Sequence, residues 1–454
     1  MTRKTNRIAC HRRQHAPRRA ALWLAAGLAA LQLCAGEVSA ATMEDVDRSF
    51  HPYRNWKPHV DGITPGMVID TSNWQVAKDV LDPAMLEFVK KGWVKITVGE
   101  TTSFDLHPNY EKATRAHLNE TKLGPKPGEL IGFVAGRPFP AEPNPDDPRA
   151  GEKLAWNYKY GYNWGDNAAI YPFYWKFRNL KTGKVERTIK FNFHFLNFMH
   201  RVNQQPLPEF PNNPSKIFRG IYVQVLEPFD VKNTQLLILR YDNDLKRDDA
   251  WLYLGFQRRV RRLATGQVTD AFLGSDLMIE DFEGYNGRIS DMKWTYKGTK
   301  VLLMPFYNHN DLKLSDEYKD PDGYQFVAFG GQGGCFPEIT WQLRKVYVLQ
   351  SEPVDKNHPI SKRIHYVDAQ TFTLPRTLIY DRKGELWKSF IIGQAHPEHH
   401  LPINKGSGVS IDDSFSMIDV QAGRCTTGQF KGQVDPRLSP RTLFTVQNMR
   451  VRGR

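Results

Sequence analysis

The feature that most limits what this chain can fold into is a long series of short strand-like segments beginning just after Glu152. The segments are rich in β-branched and aromatic residues, and glycines, prolines and turn-like sequences separate them. Hairpin turns are predicted at residues 181–184, 296–299 and 381–384, each of which contains a glycine. A flat open sheet of so many strands would be unusual and would leave long edges, so we expect the sheet to curl or close.

The predicted strands show either alternation of apolar and polar residues or a short apolar run between turn residues. Hydrophobic residues make up 40% of the chain and aromatic residues 12%, which is enough for a sizeable core. The strands are predicted at residues 154–160, 171–178, 185–195, 220–226, 235–241, 250–254, 258–263, 289–296, 300–306, 344–349, 363–368, 371–380, 385–392 and 410–420.

Two helices are predicted ahead of the strands. Ser72 is a candidate cap for a helix that runs through Val80. Asp82 and Pro83 then have the residue types that begin a helix, and Gly92 has the type that ends one. The chain is therefore predicted to be mainly β with a few helices.

Residues 1–40 have the three-part layout of a secretory signal peptide. A basic start is followed by an apolar run over residues 20–35 and by the small residues Val38-Ser39-Ala40. The apolar run is short for a membrane span. We expect cleavage near Ala40 and an exported, periplasmic protein; lipidation at Cys34 is an alternative that the large residues before it disfavour.

The charge of the chain is mildly basic once the signal peptide is set aside. The whole sequence has 62 Lys and Arg against 49 Asp and Glu, a net charge of +13. Residues 1–40 contain seven of the basic residues and one of the acids, which leaves +7 for the rest. Because these charges are dispersed and no recognition motif is present, nucleic acid binding is not expected.

Two of the four cysteines, Cys10 and Cys34, fall within the predicted signal peptide. Cys335 and Cys425 remain, and in an oxidising compartment they can form one disulfide. The alternative is a pair of free, buried thiols. We expect the disulfide, which would close a long loop.

Residues 248–281 combine a strand, an arginine cluster and a Gly-Ser-Asp turn. Trp251 and Tyr253 alternate with leucines, as in a half-buried strand. The arginines that follow must point to both faces of a sheet, and a core cannot hold an unpaired guanidinium. They either bind an anionic head group or, as we favour, pair with nearby acids. The arginines are Arg258, Arg259, Arg261 and Arg262, and the acids are Asp270, Asp276 and Asp281.

No motif specifies a catalytic site, a cofactor or a metal. His396, His399 and His400 are close in sequence, but Pro397 interrupts any helix that would place two of them on one face. The glycine-rich segment at residues 330–334 lacks the lysine of a phosphate loop. We therefore expect no enzyme activity, no metal ligands and no cofactor.

Motifs spread over most of the chain resemble a family of exported bacterial proteins of unknown function. That family is described as outer-membrane lipoprotein-sorting proteins and is placed near the carriers LolA and LolB. Gly255-Phe256 departs from its pattern, which favours proline or alanine after Leu254. The motifs are ITPGMVID at residues 63–70, WLYL at 251–254, RRVRR at 258–262, GSD at 274–276, RKVYVL at 344–349 and YDRKGELW at 380–387.

The resemblance implies a large curved antiparallel sheet, an incomplete barrel like that of LolA and LolB, with helices covering its concave face. It would occupy residues 71–454, after an N-terminal extension at residues 41–70. The concave face would be apolar and would bind an acyl chain; an ordinary core position is the alternative for each aromatic residue. The ligand site is assigned to Trp156, Tyr158, Phe191, Phe193, Phe195, Trp251, Tyr253, Arg258, Arg259 and Arg261.

The predicted function is that of a periplasmic carrier or chaperone for a hydrophobic, lipid-like cargo that works with an envelope export system. Its partners would be the cargo, an inner-membrane exporter and an outer-membrane protein. One alternative is a periplasmic enzyme that acts on lipids or polymers, which a metal bound through His396, His399 and His400 would favour. The other is a structural subunit of an export complex that binds no small ligand.

Overall fold

A computed structural model describes residues 40–263 and 269–453 of the protein. The predicted signal peptide therefore lies outside the described residues, apart from Ala40. Ala41–Arg454 form one compact unit. Residues 41–70, interpreted above as an extension, are part of this unit, because Val46 and Phe50 are fully buried in its core.

Five α-helices are present in the described residues. Across the same residues, none of the helices is both long enough and apolar enough to cross a membrane. The helices are α1 (Met43–Phe50), α2 (Pro83–Lys90), α3 (Pro108–Ala116), α4 (Ala150–Lys159) and α5 (Val446–Arg452).

Strands make up most of the regular structure, and twenty-two of them are described. They are β1 (Val68–Ile69), β2 (Ile96–Gly99), β3 (Lys122–Leu123), β4 (Leu130–Ile131), β5 (Asn167–Asn179), β6 (Val185–Asn197), β7 (Ile217–Glu227), β8 (Gln235–Tyr241), β9 (Asp249–Leu254), β10 (Arg259–Arg262), β11 (Met292–Met304), β12 (Phe306–Tyr307), β13 (Leu314–Lys319), β14 (Gln325–Val327), β15 (Phe329–Gly330), β16 (Phe336–Pro337), β17 (Thr340–Pro353), β18 (Ile360–Asp368), β19 (Arg376–Asp381), β20 (Leu386–Ala395), β21 (Ile411–Asp419) and β22 (Arg424–Gln433).

Sixteen of these strands form one sheet. Strands β5 to β10 and β17 to β22 are two antiparallel meanders, and β22 joins them by pairing with β5. Two short pairings, β2 with β17 and β12 with β20, are parallel. Within the described residues β10 pairs with β9 alone, and the sheet does not close into a barrel. The prediction of a mainly β chain with a large unclosed sheet is confirmed.

The central strands of the sheet are buried on both faces, and successive side chains alternate between them. On β20, Phe390 and Ile392 belong to one apolar cluster, whereas Ile391 belongs to another. Helix α2 packs on the Ile391 face, where its Met85 is fully buried. Residues 271–284 pack on the Phe390 face, which is the face that carries the candidate site.

Helix α2 begins where the sequence predicted. The Asp82 side chain accepts hydrogen bonds from the first-turn N–H groups of Ala84 and Met85. The helix predicted from Ser72 is instead a short 3-10 turn, Trp74–Ala77. The Ser72 hydroxyl donates to the Asp70 carboxylate and therefore does not cap a helix.

The strand predicted at residues 154–160 is wrong, because Ala150–Lys159 form helix α4. Every residue of α4 except Lys153 is buried. A helix that is buried on all sides shows no 3.6-residue period, so its aromatic residues resemble a strand in sequence. Gly151 allows the close approach of β11, since a Cβ there would lie 2.7 Å from the backbone of Trp294 and Thr295.

The hairpin predicted at residues 296–299 is also wrong. Strand β11 runs without a turn from Met292 to Met304 and pairs with β17 along its length. A bulge between Tyr296 and Gly298 takes up the extra residue, and Gly298 has a φ of +116° that favours glycine. The other two predicted turns do connect neighbouring strands, β5 with β6 and β19 with β20.

A disulfide joins Cys335 to Cys425. Both side chains are fully buried, and the bond links the segment before β16 to the start of β22. The two cysteines are 90 residues apart. A cross-link across a loop of that length removes much of the conformational freedom of the unfolded chain.

We expect the double variant Cys335→Ser, Cys425→Ser to lose about 4 kcal/mol of unfolding free energy, because its unfolded chain is no longer cross-linked. Urea denaturation with and without a reductant measures this loss. Reductant should destabilise the wild type and leave the double variant unchanged. Equal stability of the two proteins without reductant would contradict the expectation.

Candidate functional site

An apolar cavity lies against the Phe390 face of the sheet. Its walls come from β5, β6, β20, β21 and β22, from Trp164 and from residues 277–283. The cavity volume is about 40 Å³, which is room for about three water molecules. We call it the aromatic cavity because nine aromatic side chains line it: Trp164, Phe173, Trp175, Phe193, Phe195, Phe282, Phe390, Phe415 and Phe430.

The rings of the cavity wall pack edge to face. Trp175 contacts Phe191, Phe282 and Phe415 in this way, with ring centroids 5.0, 6.2 and 5.4 Å apart. This geometry places ring edges on ring faces, the favourable arrangement for aromatic pairs. The Trp175 Nε1 atom is buried and has no hydrogen-bond partner among the described residues.

Residues 271–284, here called the cover segment, close the cavity on the side opposite the sheet. The segment contains two 3-10 turns, Phe272–Gly274 and Ile279–Gly284. Phe272, Leu277 and Phe282 pack into the same apolar cluster as the rings of β5 and β6. Because the segment is not a strand of the sheet, its side chains rather than a backbone ladder hold it in place.

Each carboxylate of the cover segment meets a basic side chain from the sheet. Arg363 of β18 binds Glu280 at 2.8 Å and Asp281 at 3.0 Å. Glu283 pairs with Arg219 of β7 at 3.1 Å. Arg363, Glu280 and Asp281 are all buried, so these charges are removed from water. A buried charge is tolerated only when it is paired, and these pairs fix the position of the segment.

Asp276 anchors the other end of the cover segment. Its backbone N–H donates to the Thr426 hydroxyl at 2.9 Å, and that hydroxyl donates to its carboxylate at 2.7 Å. The Lys388 ammonium donates to the Asp276 carbonyl at 2.6 Å, and Arg424 lies 3.6 Å from the carboxylate. Burial nevertheless raises the pKa of Asp276, although Thr426 and Arg424 oppose that effect.

The prediction that the arginines of residues 258–262 pair with Asp270, Asp276 and Asp281 is wrong. Asp276 and Asp281 meet Arg424 and Arg363, which come from the second meander. Asp270 is exposed. Asp276 and Asp281 therefore do meet cations, but these two arginines lie more than 80 residues away in sequence.

The Glu280 carboxylate has the strongest electrostatic support in the segment. Burial alone would raise its pKa, but Arg363 and the nearby His358 outweigh burial and lower the pKa to about 2. The His358 Nε2 atom lies 3.0 Å from the carboxylate. Glu280 therefore stays ionised at neutral pH and holds both partners.

Two carboxyl groups line the cavity, Asp412 and the Glu283 that pairs with Arg219. Gln394 donates to the Oδ1 atom of Asp412 at 3.0 Å. Burial raises the pKa of Asp412 to about 8; the Gln394 hydrogen bond opposes this, and the charges of Glu283 and Asp413 add to it. This shift favours the protonated, uncharged form of Asp412 at neutral pH.

A larger cleft lies on the other side of the cover segment. Its volume is about 690 Å³, within the range of small-molecule sites. Ile279 and Glu280 of the cover segment line the cleft, whereas Leu277 and Phe282 line the aromatic cavity. The cover segment thus separates a large open cleft from a small apolar cavity.

Two of the predicted ligand residues line the candidate site, and a third packs directly behind it. Phe193 and Phe195 line the aromatic cavity from β6, and Phe191 packs behind Trp175 in the same cluster. Trp156 and Tyr158 are elsewhere, on α4, where they belong to a separate buried cluster. The Tyr158 hydroxyl donates to the backbone carbonyls of residues 283 and 285, at the end of the cover segment.

Trp251 and Tyr253 belong to a fourth cluster, which α5 covers. The Tyr253 hydroxyl donates to the Gly453 carbonyl at 2.6 Å. On the neighbouring strand β8, Leu236 belongs to the cavity cluster, whereas Leu237 belongs to this one. Since alternate residues face opposite sides, Trp251 and Tyr253 lie on the face away from the aromatic cavity.

The arginine cluster is on β10, at the end of the sheet. Arg258, Arg259 and Arg261 are exposed, and no carboxylate in residues 40–263 or 269–453 pairs with them. Arg262 pairs with Asp249 of the neighbouring strand. The three free arginines do not line the aromatic cavity.

Several residues of the site were missed in the sequence. Phe390, Phe415 and Phe430 come from the second meander; Phe390 and Phe415 lie in predicted strands, whereas the strand that carries Phe430 was not predicted. Asp412 lies in the strand predicted at residues 410–420 but was not assigned to a site. The sequence holds no signal for the pairing of β22 with β5, which brings these residues to the cavity.

The histidines at residues 396–400 do not converge on one point. His399 is exposed, whereas His400 is buried. The Asn404 amide donates to the His400 Nδ1 atom at 2.8 Å, and its orientation is fixed by the Val434 N–H, which donates to its oxygen. The His400 Nε2 atom must then carry the proton and donate to the Tyr324 oxygen, 3.0 Å away.

His309, His400 and Asp413 offer ligand atoms that lie within 4.8 Å of one another, and all three are buried. The His309 Nδ1 atom lies 2.6 Å from Asp413, and its Nε2 atom donates to the Gln325 carbonyl at 3.0 Å. Each ring nitrogen of this cluster already has a hydrogen-bond partner. A metal would have to displace Asn404 or deprotonate His400, so the geometry fits a structural network better than a metal centre.

We expect the folded protein to lose stability as the pH falls through the range in which Glu280 titrates. A glutamate in an unfolded chain has a pKa of about 4.3, so the stabilisation is full above that pH and is lost as the pH falls towards 2. It amounts to about 3 kcal/mol for a shift of this size. Urea denaturation between pH 2 and 6 should therefore give a shallower pH dependence for Glu280→Gln than for wild type. Exposed Glu186→Gln is the control, and equal slopes for all three proteins would contradict the expectation.

Comparison with known proteins finds a similar sequence and several similar structures. An uncharacterized protein of Pseudomonas aeruginosa, PA3922, is 26% identical over 348 residues, which are 74% of this chain and 70% of that protein. A crystal structure of a DUF1329 family protein from Desulfovibrio piger covers 67% of this chain and 99% of its own, with 18% identity and a TM-score of 0.45. A LolA superfamily protein from Nitrosomonas europaea, NE2245, covers 62% of this chain and 91% of its own, with 12% identity and a TM-score of 0.36.

The family model that matches this sequence is described as Protein of unknown function (DUF1329). It matches residues 68–450, which include every strand of the large sheet. The resemblance to a family of unknown function is therefore confirmed, and the chain belongs to the DUF1329 family.

Proposed function

We propose that this protein binds a hydrophobic, lipid-like molecule on the aromatic face of its sheet and carries it through the periplasm. The observation that carries the proposal is the aromatic cavity, in which a segment outside the sheet covers eight aromatic rings and adds a ninth, Phe282. Ordinary cores are closed by strands or helices that pair or pack along their length. Here a short irregular segment with ionic anchors closes the core.

The cargo would take the place of the apolar side chains of the cover segment. The cavity of about 40 Å³ is too small for an acyl chain. The side chains of Phe272, Leu277 and Phe282 fill the space beside the cavity. An acyl chain that replaced them would still exclude water from the aromatic face. Each methylene buried there contributes about 0.8 kcal/mol, so a long chain can offset the cost of releasing the segment.

Polar groups of the site would orient the cargo. Phe272 and Phe282 pack on Trp175, so movement of the cover segment would free its unpartnered indole N–H. The protonated Asp412 carboxyl lies in the same wall. Both groups donate hydrogen bonds, which suits a cargo with an ester, amide or hydroxyl oxygen next to its apolar part.

The large cleft would be the route by which the cargo enters. It borders the cover segment at Ile279 and Glu280 and has the volume of a small-molecule site. The exported location and the envelope export partners remain part of the proposal; the layout of residues 1–40 and the resemblance to lipoprotein carriers support them. The competing enzyme function would require metal at His309, His400 and Asp413, which elemental analysis of the purified protein would detect.

The direct experiment is mass spectrometry of organic extracts from gently purified protein, together with titration of a fluorescent fatty acid. A co-purifying apolar molecule and saturable probe binding are the expected results. If neither is found, the carrier function is wrong. Stoichiometric zinc with hydrolysis of lipid substrates would favour the enzyme instead.

We expect Ile170→Phe to weaken probe binding, because the larger side chain on β5 takes up apolar space that the cargo would share. Binding of an uncharged apolar dye such as N-phenyl-naphthylamine measures the effect. Ile131→Phe, at an exposed position far in sequence from the cavity, is the matched control and should bind as wild type does. If Ile170→Phe binds the dye as wild type does, the aromatic cavity is not part of the binding site.

We also expect the affinity for the uncharged dye to fall as the pH rises through about 8, because Asp412 then ionises and places a charge in the cavity. Asp412→Asn cannot ionise, so its affinity should be the same from pH 6 to 10. Fluorescence titration over that range compares the two proteins. A parallel fall in both would assign the pH dependence to another group.

A further inference from the structure

Three hairpin turns lie at one end of the sheet. They connect β5 with β6, β7 with β8 and β9 with β10. Because these six strands are consecutive antiparallel neighbours, their alternate turns fall at the same end. The second and third turns touch, since a Cβ on Gly255 would lie 2.3 Å from the Lys232 carbonyl oxygen. We call this end, residues 180–184, 228–234 and 255–259, the hairpin-tip surface.

The hairpin-tip surface carries the two most exposed large hydrophobic side chains among the described residues. Phe229 is 93% exposed and Phe256 is 74% exposed. Each stands alone at a turn, outside every apolar cluster of the core. A phenylalanine held almost entirely in water costs free energy that burial against a partner would recover.

Basic side chains surround the two phenylalanines. The acids at this end are largely neutralised, because Asp230 pairs with Arg187 at 2.5 Å and Glu227 pairs with Lys190 at 3.6 Å. Glu186 is the remaining exposed acid. Within residues 40–263 and 269–453, five exposed cations of the surface have no carboxylate partner: Lys181, Lys184, Lys232, Arg258 and Arg259.

We propose that the hairpin-tip surface docks on an anionic lipid bilayer, with Phe229 and Phe256 inserted at the boundary between head groups and acyl chains. Isolated aromatic side chains at projecting turns fit the disordered interface of a bilayer, where aromatic rings are favoured. The unpaired cations match anionic head groups. A protein partner would instead require a continuous apolar patch, and the two phenylalanines have none around them.

Docking on a bilayer does not depend on the carrier function, because it is measured without cargo. The experiment is flotation of the protein, purified after export, with vesicles of phosphatidylethanolamine and phosphatidylglycerol. Vesicles of phosphatidylcholine alone are the uncharged comparison. We expect binding to the anionic vesicles that is weaker on phosphatidylcholine and falls with added salt.

Variants separate insertion from charge attraction. Phe229→Ser with Phe256→Ser should weaken binding to anionic vesicles at least tenfold, whereas the same positions changed to Trp should retain it. Arg258→Gln with Arg259→Gln should weaken binding and reduce its salt dependence. Val354→Ser with Val451→Ser removes two other exposed hydrophobic side chains, 64% and 61% exposed, and should have no effect.

Circular dichroism melting checks that each variant is folded, which the exposure of all six positions leads us to expect. Absence of binding to anionic vesicles by the wild type would overturn the proposal. Equal binding by wild type and the double serine variant would also overturn it. If the two phenylalanines are needed for binding to one defined protein and the wild type does not bind vesicles, the surface is a docking site for a protein instead.

Discussion

The pairing of Arg363 with Glu280 and Asp281 is the interaction on which the candidate site depends. It ties an irregular segment to the middle of a large sheet, and all three charges are buried. Removing charges from water costs nearly as much as their attraction returns, so such a pair specifies position more than it adds stability. Two of the Arg363 nitrogens, Nε and Nη1, have no partner among the described residues. These ion pairs therefore fix the position of the cover segment but contribute little net stability to the fold.

Apolar contacts of the cover segment complement these anchors. Phe272 and Phe282 bury the rings of β5 and β6, which would otherwise face the open cleft. An acyl chain can make the same contacts, because dispersion and the hydrophobic effect do not distinguish a phenyl ring from methylene groups of equal area. The aromatic face can thus stay dry with either occupant. The raised pKa of Asp412 fits such a surface, because a protonated carboxyl adds no charge to it.

Local features of the fold could be predicted from sequence. Asp82 and Pro83 start α2, and the glycines at positions 183 and 384 mark turns, because these signals depend only on neighbouring residues. Helix α4 was wrongly predicted as a strand, because a helix that is buried on every side lacks the 3.6-residue hydrophobic period. The site itself depends on β22 pairing with β5, more than 240 residues apart in sequence. The aromatic residues of β6 were found, but their partners across that pairing and the arginines that hold the cover segment had no local signal.

The central claim is that the cover segment leaves the aromatic face when cargo binds. Amide hydrogen exchange of residues 271–284, with and without excess fatty acid, tests it most directly. The account predicts faster exchange in this segment when fatty acid is present, with unchanged or slower exchange in β5 and β6. Slower exchange in the cover segment, or no change in it at saturating fatty acid, would contradict the account.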